Sequence, residues 1–197
     1  MRLVSGWARR VFVLCGCPLR VTGLEHLDHE QCAIVVANHS SYLDSVVLLA
    51  VIATDYRFVA NHGELLRPFV GLVLRKGCHL IVDRTSMESR VACTRAMLDA
   101  LDHGTSLVLF PEGTRSGGHM QAFRNGAFRT SVKSGRAIVP VAISGTSRIL
   151  PRHRRLLARS PIDVRVLPPI RPGTAAGEAI LLRQRTIAAI SDTLDRV

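Results

Sequence analysis

Short apolar runs, separated by Gly, Pro, Asn and Asp, recur along this chain and are too short for anything but buried strands. They fall at Arg20–Thr22, Ala33–Ala37, Arg57–Ala60, His79–Val82, Leu107–Phe110, Ile138–Ile143 and Asp163–Leu167. Between them the apolar spacing lengthens to the three-to-four period of a helix. This predicts helices over Leu43–Ala53, Glu64–Leu74, Met87–Asp102, Ala122–Ser134 and roughly Ala176–Arg196, the last docking through Ile180, Ile187, Ile190 and Leu194. Strands alternating with helices predict an α/β fold, a single domain with a central mixed sheet of about seven strands flanked by helices.

A chain of 197 residues fits one domain and buries roughly 70% of its unfolded surface. With 47% hydrophobic residues spread along its length, global disorder is excluded. The expected division is an amphipathic helix over 1–20, a core over 21–167 and a closing helix over 176–196. No apolar run reaches the ~18 residues that a membrane-crossing helix needs; the longest is Val46–Ala53. Near the start, Trp7, Val11, Phe12 and Leu14 stand among Arg2, Arg9, Arg10 and Arg20 without a small-residue cleavage site. That pattern suits one helix lying among lipid headgroups, or an ordinary packing helix with a solvated charged face, rather than a secretory signal.

The net charge of +11 rests on arginine, because Lys76 and Lys133 are the only lysines. Guanidinium groups grip phosphate and carboxylate through two parallel bonds, so anionic partners are expected. A nucleic acid is disfavoured, since aromatics make up 5% of residues and no recognition helix, zinc or oligonucleotide-barrel signature occurs. A membrane surface or a phosphorylated substrate remains, and the basic stretch Arg148–Arg159 offers electrostatic attachment to anionic lipid or a merely solvated loop. The five cysteines, an odd number without a CxxC pair, indicate a reducing compartment and no structural zinc.

Two polar stretches interrupt the pattern where strands end. The first, VANHSSYLD, carries His39 and Asp44 five residues apart. On a regular helix they would be rotated by about 140°, so a bend must separate them for the side chains to meet. If the strand ends at Ala37 and Ser41 caps the next helix, Asp44 occupies its third position and His39 folds back from the loop. The carboxylate then fixes one ring nitrogen and leaves the other to take a proton from a hydroxyl. Taken alone, such a pair is more often a loop hydrogen bond than a general base. The second stretch, LVLFPEGTRS, runs from strand into turn: Gly113 permits close backbone approach, and Arg115 offers an anion clamp at a strand end, where α/β folds bind ligands.

Together NHSSYLDS and FPEGTRS resemble the signature blocks of the glycerolipid acyltransferase family, whose best-known members are lysophosphatidic acid acyltransferases. The block running from Gly77 to Arg84 is similar to the family's glycine, apolar run and closing arginine. The segment Phe123 to Phe128 matches F-K-x-G-A-F with arginine for lysine, and Ala137 to Ile143 looks like the apolar-Val-Pro-apolar strand. The resemblance spans about Val21 to Leu167, with four blocks in the family's order. It implies a glycerol-3-phosphate acyltransferase-like fold and an O-acyltransferase of phospholipid biosynthesis.

By that resemblance His39 deprotonates the hydroxyl of a lysophospholipid and Asp44 orients and supports the imidazolium. Arg84 and Arg115 bind the acceptor's phosphate, and Glu112, Gly113 and Thr114 shape the transfer pocket, with Ser116 closing that substrate-binding block. The donor is acyl-CoA or acyl carrier protein, no metal or cofactor is called for, and the location is the cytoplasmic face of the inner membrane, peripheral or monotopic. One departure stands out: Asn61-His62 replaces an alanine-lysine pair common in the family. It raises a non-phosphate lysolipid, such as lyso-ornithine lipid, as the alternative acceptor. From another class, the alternative is a non-catalytic basic membrane-binding module, against which the intact His39 and Asp44 argue.

Overall fold

The computed structural model describes residues 10, 12–30, 32–52, 55–66, 77, 79–116, 119–150 and 158–196. Seven strands form its sheet: β1 (Leu19–Thr22), β2 (Ile34–Ala37), β3 (Tyr56–Asn61), β4 (Leu80–Val82), β5 (Ser106–Leu109), β6 (Ile138–Ser144) and β7 (Ile162–Val166). Their order is β1-β7-β6-β2-β5-β3-β4. The five strands β6, β2, β5, β3 and β4 are mutually parallel, β7 runs against β6, and β1 follows β7. The expected mixed sheet is therefore present, with each expected strand within two residues of its observed bounds.

Six α-helices accompany the sheet among the described residues: α1 (Glu25–Asp28), α2 (Leu43–Val51), α3 (Met87–Asp102), α4 (Gly126–Ser134), α5 (Thr146–Ile149) and α6 (Glu178–Leu194). On one face of the sheet Val47, Leu48 and Val51 of α2 pack with Val35, Ala37, Val139 and Val141. On the other, Met97 and Leu101 of α3, Phe128 of α4, and Leu182 and Ile190 of α6 pack with Ile34, Val36, Leu107 and Ile138. Covered on both faces, β2 is buried at all four positions, which is why it reads as an unbroken apolar run.

An apolar run on both faces gives weak instruction about register. Asn38 supplies it. Its amide donates to the Ile143 carbonyl at 2.9 Å and accepts the Ile143 N–H at 2.8 Å, extending the β2–β6 ladder by one side chain. The following residue, His39, therefore leaves the sheet at a fixed point.

Three helix expectations need correction. The helix expected from Ala122 begins at Gly126, because Phe123 is buried in the core and the Arg124 N–H donates to the Pro111 carbonyl at 2.9 Å, which docks this stretch on the preceding loop. The one expected from Glu64 opens as a 3-10 turn over His62–Leu66, and 67–74 lie outside the described residues. In α6, Ile187, Ile190 and Leu194 pack on the core as expected, but Ile180 is 48% exposed, and the buried line is Glu178, Leu182, Thr186 and Ile190. Thr186 is hidden by donating its hydroxyl to the Leu182 carbonyl, so a polar residue holds a core position that the apolar spacing assigned elsewhere. Arg2, Trp7, Arg9 and Val11 of the headgroup-helix expectation, Cys78 of the second block, and 151–157 of the basic stretch also lie outside the described residues.

Candidate active site

Parallel strands place successive loops on one side of a sheet, and here β2, β4, β5 and β6 deliver four of them to the same edge. The loop after β2 carries His39, that after β4 carries Arg84, that after β5 spans Phe110 to Asn125, and β6 leads through Gly145 into α5.

His39 and Asp44 meet. The ring Nδ1 lies 3.0 Å from Asp44 Oδ2, with the His39 side chain 14% exposed and Asp44 fully buried. Oδ2 also accepts the backbone N–H groups of Ser40 at 2.7 Å and Ser41 at 2.8 Å, and Oδ1 accepts the Thr146 hydroxyl at 2.5 Å. A carboxylate offers about four lone-pair sites, and four donors converge on this one, three on Oδ2 and one on Oδ1. Because it can only accept, His39 Nδ1 carries the hydrogen in that bond and Nε2 holds the lone pair.

The bend expected between the two residues exists, and with it the return bond of the expected capping arrangement, from the Ser41 N–H to Asp44 Oδ2, while the Ser41 hydroxyl accepts the Leu43 N–H at 3.4 Å rather than that of Asp44. Ser41 precedes Tyr42, the residue that caps α2, and its hydroxyl donates to the Leu150 carbonyl at 3.2 Å. It is Asp44, in the first turn, that reaches back to the loop N–H groups and satisfies them. One carboxylate thus closes the turn and holds the imidazole.

The loop after β5 grips His39 from the other side. The His39 N–H donates to Glu112 Oε1 at 2.6 Å, the His39 carbonyl accepts the Ser116 N–H at 2.8 Å, and the Phe110 ring stacks on the imidazole at 4.1 Å between centroids. The second oxygen of Glu112 accepts the Gln121 N–H at 2.8 Å. Burial pushes the Glu112 carboxyl above its ordinary range, against the opposing effect of those two N–H donors. The two oxygens of Glu112 brace the two loops against each other.

Gly113 takes φ +77, and a Cβ there would run into Arg84 Nη1 and Arg124 Nε. Arg84 donates from Nη1 to the Gly113 carbonyl. Burial, and then the charge of Arg124, depress its guanidinium below the ordinary value. Two cations therefore flank one glycine, an arrangement that an anion would relieve. Arg115 lies with its guanidinium carbon 3.6 Å from the centre of the Tyr42 ring, a cation–π contact that seats it on the turn carrying His39. Thr114 is exposed on the same loop. The structure thus joins His39, Asp44, Glu112 and Ser116 directly, and brings Arg84 and Arg115 to the same loop through Gly113 and Tyr42.

Sequence reading missed Thr146, Phe110 and Asn38 as parts of this assembly. Gly145-Thr146 at the end of the Val-Pro strand was the available signal. Gly145 has φ +89, and a Cβ would strike the Pro161 carbonyl, so only glycine turns the chain there. Among the described residues no group of three His, Cys, Asp or Glu side chains converges to hold a metal ion, and no helix is long and apolar enough to cross a membrane.

A strand-end histidine held by a carboxylate, beside an arginine-flanked glycine turn, defines a site for proton abstraction next to an anion. The family comparison agrees: the model of the Acyltransferase family matches residues 18–144, and the chain belongs to that family. It is 33% identical over 135 residues to the chloroplastic 1-acyl-sn-glycerol-3-phosphate acyltransferase of Arabidopsis thaliana, covering 68% of this chain and 38% of the relative. It is 31% identical over 135 residues to the 1-acyl-sn-glycerol-3-phosphate acyltransferase of Borreliella burgdorferi, covering 68% of this chain and 54% of the relative. The chain thus spans about half the length, or less, of these relatives. The crystal structure of the 1-acyl-sn-glycerophosphate acyltransferase PlsC from Thermotoga maritima superposes with a TM-score of 0.82 at 25% identity, covering 98% of this chain and 77% of that one.

Proposed function

We propose that this protein transfers a fatty acyl group from an acyl thioester to the free hydroxyl of a lysophospholipid, with lysophosphatidic acid as the acceptor and phosphatidic acid as the product. The observation that carries the reading is the bond from His39 Nδ1 to the buried carboxylate of Asp44, held by three further donors, which leaves Nε2 as a base. The names of the relatives from Arabidopsis thaliana, Borreliella burgdorferi and Thermotoga maritima support the choice of acceptor.

In this reaction Nε2 takes the acceptor's hydroxyl proton as the oxygen attacks the thioester carbonyl. Asp44 stabilises the imidazolium that forms. The carbon–sulfur bond then breaks, and the departing thiolate takes the proton back from His39, which restores the neutral base. Such a positioned base supplies roughly 10² to 10⁴-fold, so holding donor and acceptor together must supply much of the remainder. Arg84, Arg124 and Arg115, grouped around Gly113 and Tyr42, are the groups that would bind the phosphate. The donor is acyl-CoA or acyl carrier protein, both anionic and suited to a chain of net charge +11. The setting is a membrane surface, met peripherally at the cytoplasmic face of the inner membrane.

The test is acyl transfer by purified protein to lysophosphatidic acid and to lyso-ornithine lipid in vesicles, with each donor, beside His39→Ala. Loss of transfer in the variant, with fold and vesicle binding retained, is the expected result. Transfer only to lyso-ornithine lipid would replace the acceptor, a reading favoured by Asn61 and the exposed His62 at the end of β3. Unchanged transfer in the variant would remove the base, and vesicle binding without any transfer would leave a membrane-binding module.

A further inference from the structure

We propose that Thr146 is a positioning residue of the His39–Asp44 pair, the end of a hydroxyl relay that fixes which way the Asp44 carboxylate faces. The activity arm of this inference rests on the acyltransferase reading; the structural arm does not.

Three donors converge on Asp44 Oδ2, and among the described residues Thr146 alone holds Oδ1. A carboxylate gripped at one oxygen can swing about its other bonds; gripped at both, it cannot. Thr146 is fully buried, and its single hydroxyl proton goes to Oδ1, so the Ser40 hydroxyl, 3.0 Å from Thr146 Oγ1, must donate to it. The chain Ser40 to Thr146 to Asp44 to His39 is a buried series of hydrogen bonds in which each bond polarises the next.

The backbone around Thr146 is committed to this placement. Gly145 adopts φ +89 against the Pro161 carbonyl, Ile143 is paired to Asn38, and the Leu150 carbonyl accepts the Ser41 hydroxyl. Residues 143–150 therefore hold 38–44 at four points across more than a hundred positions of sequence. The Val-Pro strand serves the catalytic turn rather than the substrate.

The charged groups that face His39 are Asp44 and, through its backbone bond, Glu112; Arg115 lies beyond Tyr42. Removing the Thr146 donor frees Oδ1, so the carboxylate can swing and its bond to the ring loosens. The hydrogen-bonded Nδ1–H resonance of His39 should then lie further upfield in Thr146→Val than in the wild type, as read by NMR. That measurement needs no substrate. With lysophosphatidic acid and acyl-CoA, Thr146→Val should lose roughly 10- to 100-fold in kcat with little change in acceptor KM. Thr146→Ser, which keeps the hydroxyl, should recover most of both. An unshifted His39 Nδ1–H resonance in Thr146→Val overturns the inference, as does a Thr146→Ser variant as impaired as Thr146→Val. If Thr146→Val fails to fold, Ser40→Ala carries the test: its His39 resonance must shift in the same direction by a smaller amount, and no shift overturns the relay. A normal shift with no acyl transfer in any variant would overturn the acyltransferase reading alone.

Discussion

Glu112 accepts the backbone N–H of His39 at 2.6 Å, so the glutamate acts on the base through its main chain rather than its ring. Its other oxygen holds the Gln121 N–H, and the carboxylate spans two loops that belong to different strands.

In Glu112→Gln one oxygen remains, and an NH2 group faces a backbone N–H that had an acceptor. A buried donor without a partner costs about 1–3 kcal/mol. Chemical denaturation should show a loss of that size, with a lower kcat. The pH dependence separates the charge from the geometry. Because the folded-state pKa of Glu112 is raised above its ordinary 4.5, its contribution is fully present below that value and is lost as pH rises through the folded pKa. Wild-type stability minus that of Glu112→Gln should therefore fall with rising pH just above the usual glutamate range.

Asp44→Asn tests charge with little change of shape. The amide oxygen can keep the three donors now on Oδ2, and Thr146, whose hydroxyl rotates, can accept from the new NH2. Folding should survive, whereas kcat should fall by roughly 10² to 10⁴-fold because the imidazolium loses its counter-charge. Wild-type kcat in a folded Asp44→Asn would contradict the mechanism.

Gly113→Ala forces a side chain into left-handed backbone, at about 1–2 kcal/mol, and drives its Cβ between Arg84 and Arg124. Displaced guanidinium groups should raise KM for lysophosphatidic acid more than they lower kcat. Steady-state kinetics at varied acceptor concentration reads the split.

His79 accepts the Phe58 N–H through Nδ1 at 3.1 Å, which requires a neutral ring on that side. Burial, then the charge of Arg57, holds its pKa below the ordinary 6.5. Its contribution to stability is present above the unfolded value and is lost as pH falls towards the folded one. Denaturation midpoints should drop on acidification below about pH 6.5, and His79→Gln, whose carbonyl can still accept, should flatten that slope.

Strand positions were legible because sheets covered on both faces leave unbroken apolar runs, and β2 and β5 are examples. The His39–Asp44 contact was legible because its residues are five apart and the start of α2 separates them. What escaped was information carried by long-range hydroxyls. Thr146 meets Asp44 across 102 positions and lies in a four-residue helix with no periodicity to notice. Thr186 took a core position for the same reason: a satisfied hydroxyl packs like an apolar group, and hydropathy cannot see the satisfaction. The serine-to-aspartate capping arrangement at Ser41 and Asp44 was legible because both partners lie within one turn, whereas the Ser41 hydroxyl's bond to the Leu150 carbonyl was not.

Asp44 finds its last donor on the sixth strand's exit, long after the histidine has been synthesised. A nascent chain emerging from the ribosome holds its base and its acid early but lacks the peg that aligns them. The hydrogen bonds of the pair are complete only once the chain has been made through Thr146.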